Sequence, residues 1–270
     1  MKTAVCVGDN CIDYYLPPID QKFVGGNAVN VAIYLQKAGI PTAYVGSVGD
    51  DSDGREIINQ LQQQHLDLTY NRQLTGMTAQ THIRMSDKGD REFVFEHLGP
   101  EDSLVLDQAT IDFILQHHHI HNTVLGRTES YLPSFKRSKK GLLSFDYGER
   151  YTSDFVDKTI EYVDLAFFSI PESAASSAFE LACQMYARGP QIVIVTMGRK
   201  GSLVFNGSKF IQSAMEVDVI DTLGAGDSYI GTFLAHWLQG KTISECMDQA
   251  SKVAAITCTH FGAWRQDKIG

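Results

Sequence analysis

Asp221-Thr222-Leu223-Gly224-Ala225-Gly226-Asp227 follows a strand-like run, Val217 to Ile220, and opens an apolar helical stretch from Ser228 onward. Two glycines at a strand-to-helix junction let the chain turn tightly and aim free N–H groups at an anion, where the helix dipole adds favourable potential. A carboxylate planted there, Asp227, is expected to be kept ionised by the same N–H groups. An ionised acid beside a cradle for negative oxygens is what phosphoryl transfer to a hydroxyl requires. One group takes the proton and the other stabilises the migrating charge. A bare Gly-x-Gly also fits a plainer role, in which the glycines make a turn and Asp227 caps the helix. The full seven-residue string and its flanks favour the chemical reading.

Nearer the amino terminus, Gly25-Gly26-Asn27-Ala28-Val29-Asn30-Val31-Ala32 is a glycine pair leading into a helix that carries two amide side chains. Amides offer donor and acceptor together, which suits sugar hydroxyls, and the glycines permit close backbone approach. Asn27 could equally be an ordinary helix cap. Gly8-Asp9-Asn10-Cys11-Ile12-Asp13 ends the first strand, where ligands of doubly wound sheets collect. Asp9 and Asp13 could accept hydrogen bonds from vicinal hydroxyls.

Around these segments, short β-branched runs alternate with amphipathic stretches, the pattern of an α/β fold with a mainly parallel sheet and helices on both faces. Buried strands are expected at Val5 to Gly8, Ala43 to Val48, Leu142 to Asp146, Leu165 to Ser169 and Ile192 to Thr196. Helical spacing marks Ala28 to Lys37, Arg55 to Gln64, Thr110 to Gln116, Ser173 to Ala187 and Tyr229 to Leu238. Ile12 to Leu16, Thr78 to Met85 and Glu92 to Leu98 alternate polar with apolar, which suggests a small β lid beside the main sheet. Asp87 to Asp90 reads as a hairpin turn in that lid. One domain over residues 1–264 is expected, with lid strands from about 11–17 and 78–98 and a polar tail at 265–270.

The 270 residues carry a formal charge of −9, so no general field attracts nucleic acid or an anionic membrane, and a small-molecule substrate is expected. No apolar run approaches the ~20 residues needed to cross a bilayer, and the amino terminus lacks the pattern of a signal peptide. Five scattered cysteines read as reduced thiols of a cytoplasmic protein. His117, His118, His119 and His121 suit a transition metal only if they converge. Read as helix residues they point in different directions, and no thiol or carboxylate completes a set.

Taken together, the glycine-asparagine string at 25–32 and the string at 221–227 resemble the two signatures of the ribokinase-like family of carbohydrate kinases. Val48-Gly49-Asp50-Asp51 with Gly54, and Thr196 to Gly201, extend the likeness to Trp264. The resemblance implies a ribokinase-like three-layer fold with a β lid, ATP with Mg2+, and transfer to a primary hydroxyl. It implies Asp227 as catalytic base, the amides of Gly224, Ala225 and Gly226 as an anion hole, and Asp9, Asp13, Gly25, Gly26, Asn27 and Asn30 around the sugar. Thr196, Gly198 and Gly201 would border the nucleotide. Where the family has Asn-x-x-Glu, this chain has Ser169-Ile170-Pro171-Glu172, so Glu172 alone is left to help hold Mg2+. Many relatives bind a monovalent cation such as K+, which here would involve Asp221 and the stretch 260–263.

At finer grain, the strings at 8–15, 25–34, 76–81 and 262–264 are similar to those of the fructoselysine 6-kinase branch of that family. This implies a fructosamine substrate, with Gln80, Arg84, Arg91 and Glu96 available for its amino-acid half. A kinase of fructose, a nucleoside or another glycated amino acid is the alternative, as is a non-catalytic sugar sensor. No Gly-x-Gly-x-x-Gly follows the first strand, which argues against a dinucleotide oxidoreductase. The bare strand edges of a lid invite pairing with a second copy, so a homodimer is expected.

Overall fold

The computed structural model describes residues 1–85, 91–100, 104–137, 141–149 and 151–266. The expected turn at Asp87 to Asp90 and the last four residues of the expected tail lie outside the described residues. Eight strands form the main sheet, in the spatial order β14 (Lys209–Gln212), β13 (Ser202–Phe205), β12 (Ile192–Thr196), β11 (Leu165–Ser169), β10 (Leu142–Asp146), β9 (His119–Thr123), β1 (Ala4–Val7) and β4 (Thr42–Val45). All neighbours from β4 to β12 are parallel, while β13 and β14 are antiparallel additions at one edge.

Strands covered on both faces read as continuous apolar runs, and the strand period of two sorts their side chains into two cores. Ala4, Cys6, Phe167, Ile192 and Ile194 pack with α1 (Asn27–Lys37), α7 (Ala225–Leu238) and α8 (Ile243–Thr257). Ile57 and Leu61 of α2 (Ser52–Gln63) join that core. Val5, Val7, Phe168, Val193 and Val195 face the opposite way. They meet α3 (Gln108–Ile114), α4 (Leu132–Phe135), α5 (Ser153–Thr159) and α6 (Ala178–Tyr186). The result is the expected three-layer, mainly parallel arrangement. No helix among the described residues is long and apolar enough to cross a membrane.

Several elements differ from the sequence reading. The run Ala43 to Val48 breaks at Gly46, where a Cβ would lie 2.1 Å from the Tyr44 hydroxyl oxygen. Beyond the break, β5 (Ser47–Gly49) leaves the main sheet and pairs with β6 (Arg72–Leu74). Val217 to Ile220 is not a strand but an exposed loop, with Ile220 47% exposed. Its β-branched residues mimic a strand, but β14 has already ended at Gln212 and no ladder partner is at hand. Helix α2 starts a turn earlier than expected because Asp51 accepts the Gly54 N–H at 2.8 Å. The stretch Ser173 to Ala187 divides into a 3-10 turn, Glu172–Ser177, followed by α6.

His119 and His121 lie on β9, not on a helix, so they project to the same face. Both bond Ser144 Oγ of neighbouring β10 at 2.7 Å. Burial pushes the imidazoles down, His119 to about 4 and His121 to about 3, so this pair is a neutral polar bridge inside the core.

A second sheet of four strands stands beside the first in the order β3 (Gln21–Gly25), β2 (Cys11–Tyr15), β7 (Gln80–Met85) and β8 (Arg91–His97). Asp13 pairs across to Thr81, Tyr15 to Ile83, and Met85 to Arg91, which places these side chains on one face. Gln266 reads the outer strand by bonding both backbone groups of Val24, at 2.8 and 2.7 Å.

Candidate active site

Two helix starts meet at the carboxyl ends of the parallel strands. Gly231 in α7 allows this: a Cβ there would lie 2.6 Å from the Tyr34 Cβ and 2.8 Å from the Val31 carbonyl oxygen of α1. That close packing brings Asn30 Nδ2 to donate to Asp227 Oδ2 at 2.8 Å, linking the two sequence signatures. Asn30 Oδ1 is buried with no hydrogen-bond partner among the described residues. Asn27 and Asp227 both line a cleft of about 250 Å³ whose other walls include Arg91, Asp146, Glu149 and Thr196.

Gly224 is the N-cap of α7 at φ 73, and a Cβ on it would lie 2.3 Å from the Ala263 Cβ. Of the three amides expected to form an anion hole, that of Ala225 is already used, donating to the Thr222 carbonyl at 3.2 Å. Gly226 lines the cleft, and a Cβ on it would meet nothing within 4 Å. The open face of this helix start is therefore at Gly226.

Asp9 goes elsewhere. Its carboxylate accepts the Asn27 N–H at 2.5 Å, the Ala28 N–H at 3.3 Å and the Thr123 hydroxyl, so it caps α1 from outside the helix. Gly25 leaves room for Asp13, whose Oδ2 would be 2.0 Å from a Cβ at that position. Gly26, at φ 104, lies against the backbone of Asn10, 2.4 Å from where its Cβ would be. Asp13 itself is buried and accepts a weak bond from Cys11 Sγ at 3.3 Å.

The electrostatics correct one expectation. The hydrogen bond to Asp227 comes from the Asn30 side chain and not from the backbone amides of its own helix start, and the pKa of Asp227 is raised well above the ordinary carboxylate range. Burial is the main cause, and the charges of Asp146, Asp9 and Asp13 add to it against the Asn30 hydrogen bond. Asp13 and Asp146 are each pushed up to about 7, again chiefly by burial. Asp146 escaped the sequence reading, although an acid closing a parallel strand just before Gly148 stands where such folds keep ligands.

Of the residues expected to border a nucleotide, Thr196 at the end of β12 shares a 2.8 Å hydrogen bond with Ser169 at the end of β11. Gly198 and Gly201 have positive φ and shape the turn that follows, where a Cβ on Gly201 would lie 2.0 Å from the Gln212 carbonyl oxygen. Glu172 accepts the Arg199 N–H at 3.0 Å, which ties its carboxylate to this turn. It does not line the cleft, whereas Glu149 does. Among the described residues no three His, Cys, Asp or Glu side chains converge as a metal site would require.

The small sheet sorts its polar residues by face. Gln80 donates to Asp53 at 2.9 Å and Arg84 pairs with Glu92 at 3.1 Å, both away from the Asp13 face. Arg91 and Glu96 lie on the Asp13 face. Arg91 reaches across to Thr222 Oγ1 at 2.8 Å, and Tyr15 donates to Asp221. No local sequence signal marks these bonds, which span more than a hundred positions.

The model of the pfkB family carbohydrate kinases matches residues 1–119 and 143–267. This chain belongs to that family. It is 35% identical over 265 residues to fructoselysine 6-kinase of Shigella flexneri, covering 98% of this chain and 100% of that one. It is 34% identical to the fructosamine kinase of Bacillus subtilis, over 96% of this chain and 92% of that one. The ribokinase structure from Thermotoga maritima superposes with a TM-score of 0.84 at 22% identity, covering 97% of this chain and 95% of that one, a likeness of fold. As a carbohydrate kinase, the enzyme transfers a phosphoryl group from ATP to a sugar hydroxyl with a divalent metal.

Proposed function

We propose that this kinase phosphorylates the 6-hydroxyl of a sugar-amine adduct, with fructoselysine as its substrate, and that Asp227 takes the proton of that hydroxyl. The observation that carries the reading is Asp227 at an uncapped helix start, steered by Asn30 and facing a cleft at the strand ends. General-base assistance of this kind contributes roughly 10²- to 10⁴-fold. Asn30 Oδ1, an unpartnered buried acceptor, suits a sugar hydroxyl, as do Asn27 and Asp13. The open backbone at Gly226, with the amide of Gly224, suits the migrating phosphoryl. Thr196, Gly198 and Gly201 border the nucleotide in this reading, and the four-stranded sheet is the lid of a single kinase domain.

Magnesium is usually held by one or two carboxylates together with waters and phosphate oxygens, and Asp146 and Glu149 in the same cleft fit that donor set. Bound there, it would neutralise charge on the phosphates. Glu172, drawn to the Arg199 amide, is assigned to ordering the nucleotide-side turn. The free thiols Cys6, Cys11, Cys183, Cys246 and Cys258 agree with a reducing cytoplasm. Among the described residues β8 has a paired strand on one side only, and it carries exposed Phe95, which supports a homodimer joined at the lid. Light scattering that finds only monomers at micromolar concentration would dismiss that dimer.

A coupled ADP-release assay over fructosamines, hexoses and nucleosides tests the reading. Fructoselysine should give a kcat/KM at least about tenfold above fructose or any nucleoside, the scale of a single buried hydrogen bond to the substrate. A nucleoside or plain hexose at the head of the series would replace the substrate. ADP release with none of them would remove the proposal.

A further inference from the structure

A buried carboxylate needs compensation, and at Asp221, 1% exposed, both oxygens are already engaged. Oδ1 accepts the Leu223 N–H at 2.9 Å and faces Arg91 Nε at 3.7 Å. Oδ2 accepts the Tyr15 hydroxyl and the Gly262 N–H, the latter at 3.3 Å. Three hydrogen bonds and one ion pair thus surround its two oxygens. Two carbonyls of the neighbouring loop also have partners: that of Ala263 accepts the Tyr34 hydroxyl at 2.7 Å, and that of Phe261 lies 3.1 Å from His260 Nδ1. A K+ ion at this place would compete with those donors and would be repelled by the Arg91 guanidinium, which already faces Asp221 at 3.7 Å. The donor set does not fit one.

We infer that Arg91 stands in for a monovalent cation at Asp221. An arginine is suited to the task, because its charge is permanent and its fork of donors can hold two acceptors at once. Nη2 donates to Thr222 Oγ1 while Nε faces Asp221, so one side chain grips the two residues that begin the turn toward Gly224 and Gly226. Unlike a free ion, this cation is carried on β8 of the small sheet. Through this contact the small sheet and the turn that leads to Asp227 share one cation. Arg91 is thus a positioning residue, and the enzyme works without added K+.

The test compares K+, Na+ and tetramethylammonium chlorides at equal ionic strength, by ADP release and by thermal unfolding of the ligand-free protein. The inference rests on the kinase reading only through the first readout, and unfolding judges it without catalysis. Wild-type kcat should agree within about twofold in all three salts, since general screening is then constant, and the unfolding temperature should not respond to K+. Arg91→Ala should lose at least about tenfold in kcat in tetramethylammonium, because it leaves a buried charge unpaired. Added K+ or guanidinium should restore much of that loss, and K+ should now raise the unfolding temperature. Arg91→Lys, which keeps a tethered charge, should stay indifferent to K+. Clear K+ activation of the wild type overturns the inference. So does an Arg91→Ala enzyme that matches wild type in every salt, or one that is impaired and recovers with no cation. Should Arg91→Ala fail to fold, the wild-type salt series and Arg91→Lys still decide.

Discussion

Helices α1 and α7 begin alike: each follows a glycine at positive φ, Gly26 at 104 and Gly224 at 73, and neither N-cap supplies a side chain. Their surroundings differ. At α1, Asp9 arrives from the end of the first strand and satisfies the amides of Asn27 and Ala28. At α7 no acid among the described residues does this, and the space beside Gly226 is open. A glycine-rich helix start thus becomes a structural joint where a carboxylate from elsewhere fills it, and is left open to an anion, as proposed for α7, where none does. The difference also explains why Asp9, expected at the sugar, serves the backbone.

The most forceful way to break the contrast is Asp227→Asn. It should lower kcat by about a hundredfold or more and leave KM within a few fold; comparable turnover in a steady-state assay would take Asp227 out of the reaction. Next comes the pair of glycines. Gly26→Ala forces a Cβ to within 2.4 Å of Asn10 Cα at a backbone angle that only glycine favours, and should cost about 3 kcal/mol in urea unfolding. Gly226→Ala has room in the protein, so its stability should hold or rise by roughly 0.5 kcal/mol while turnover falls about tenfold from crowding of the transferred group. If both variants lose stability equally, the two helix starts are not different in kind. Asp9→Asn should cost about 1 to 2 kcal/mol, the scale of a lost cap, with only a modest change in kcat.

The smallest effect sharpens the electrostatics. As the proposed base, Asp227 must be ionised to accept a proton, and burial together with the charges of Asp146, Asp9 and Asp13 holds its pKa up. The rate should therefore fall as pH drops through that raised value. Asp146→Asn removes one of the charges that raise it, so the acid limb of kcat/KM should move to lower pH, whatever the height of the profile. Movement to higher pH would show that Asp146 acts on Asp227 in some other way.

Much of this was legible in the chain because periodicity and glycine signatures are local. The strands of the two cores, α1 and most of α7 follow from apolar spacing, and the two signatures located both helix starts. What escaped depends on partners distant in sequence. The meeting of Asn30 with Asp227 is decided by the close packing at Gly231, and the neighbours of Asp221 come from Tyr15 and Arg91 on other elements. Val217 to Ile220 misled in the opposite direction, since branched side chains mimic a strand even where no ladder awaits them. The histidine run concealed β9 because polar imidazoles do not read as core, although His119 and His121 are fully buried.

With Gly231 pressing α1 and α7 together, the proposed base Asp227 and the amide that bonds it belong to one close-packed jaw. Alignment between them is built during folding and need not be rebuilt each cycle. In the proposed reading, only the strand-built jaw has to open for a bulky adduct to enter and for its phosphorylated form to leave. Changes that tune the pace of opening can then accumulate in β7 and β8 without disturbing the chemistry opposite.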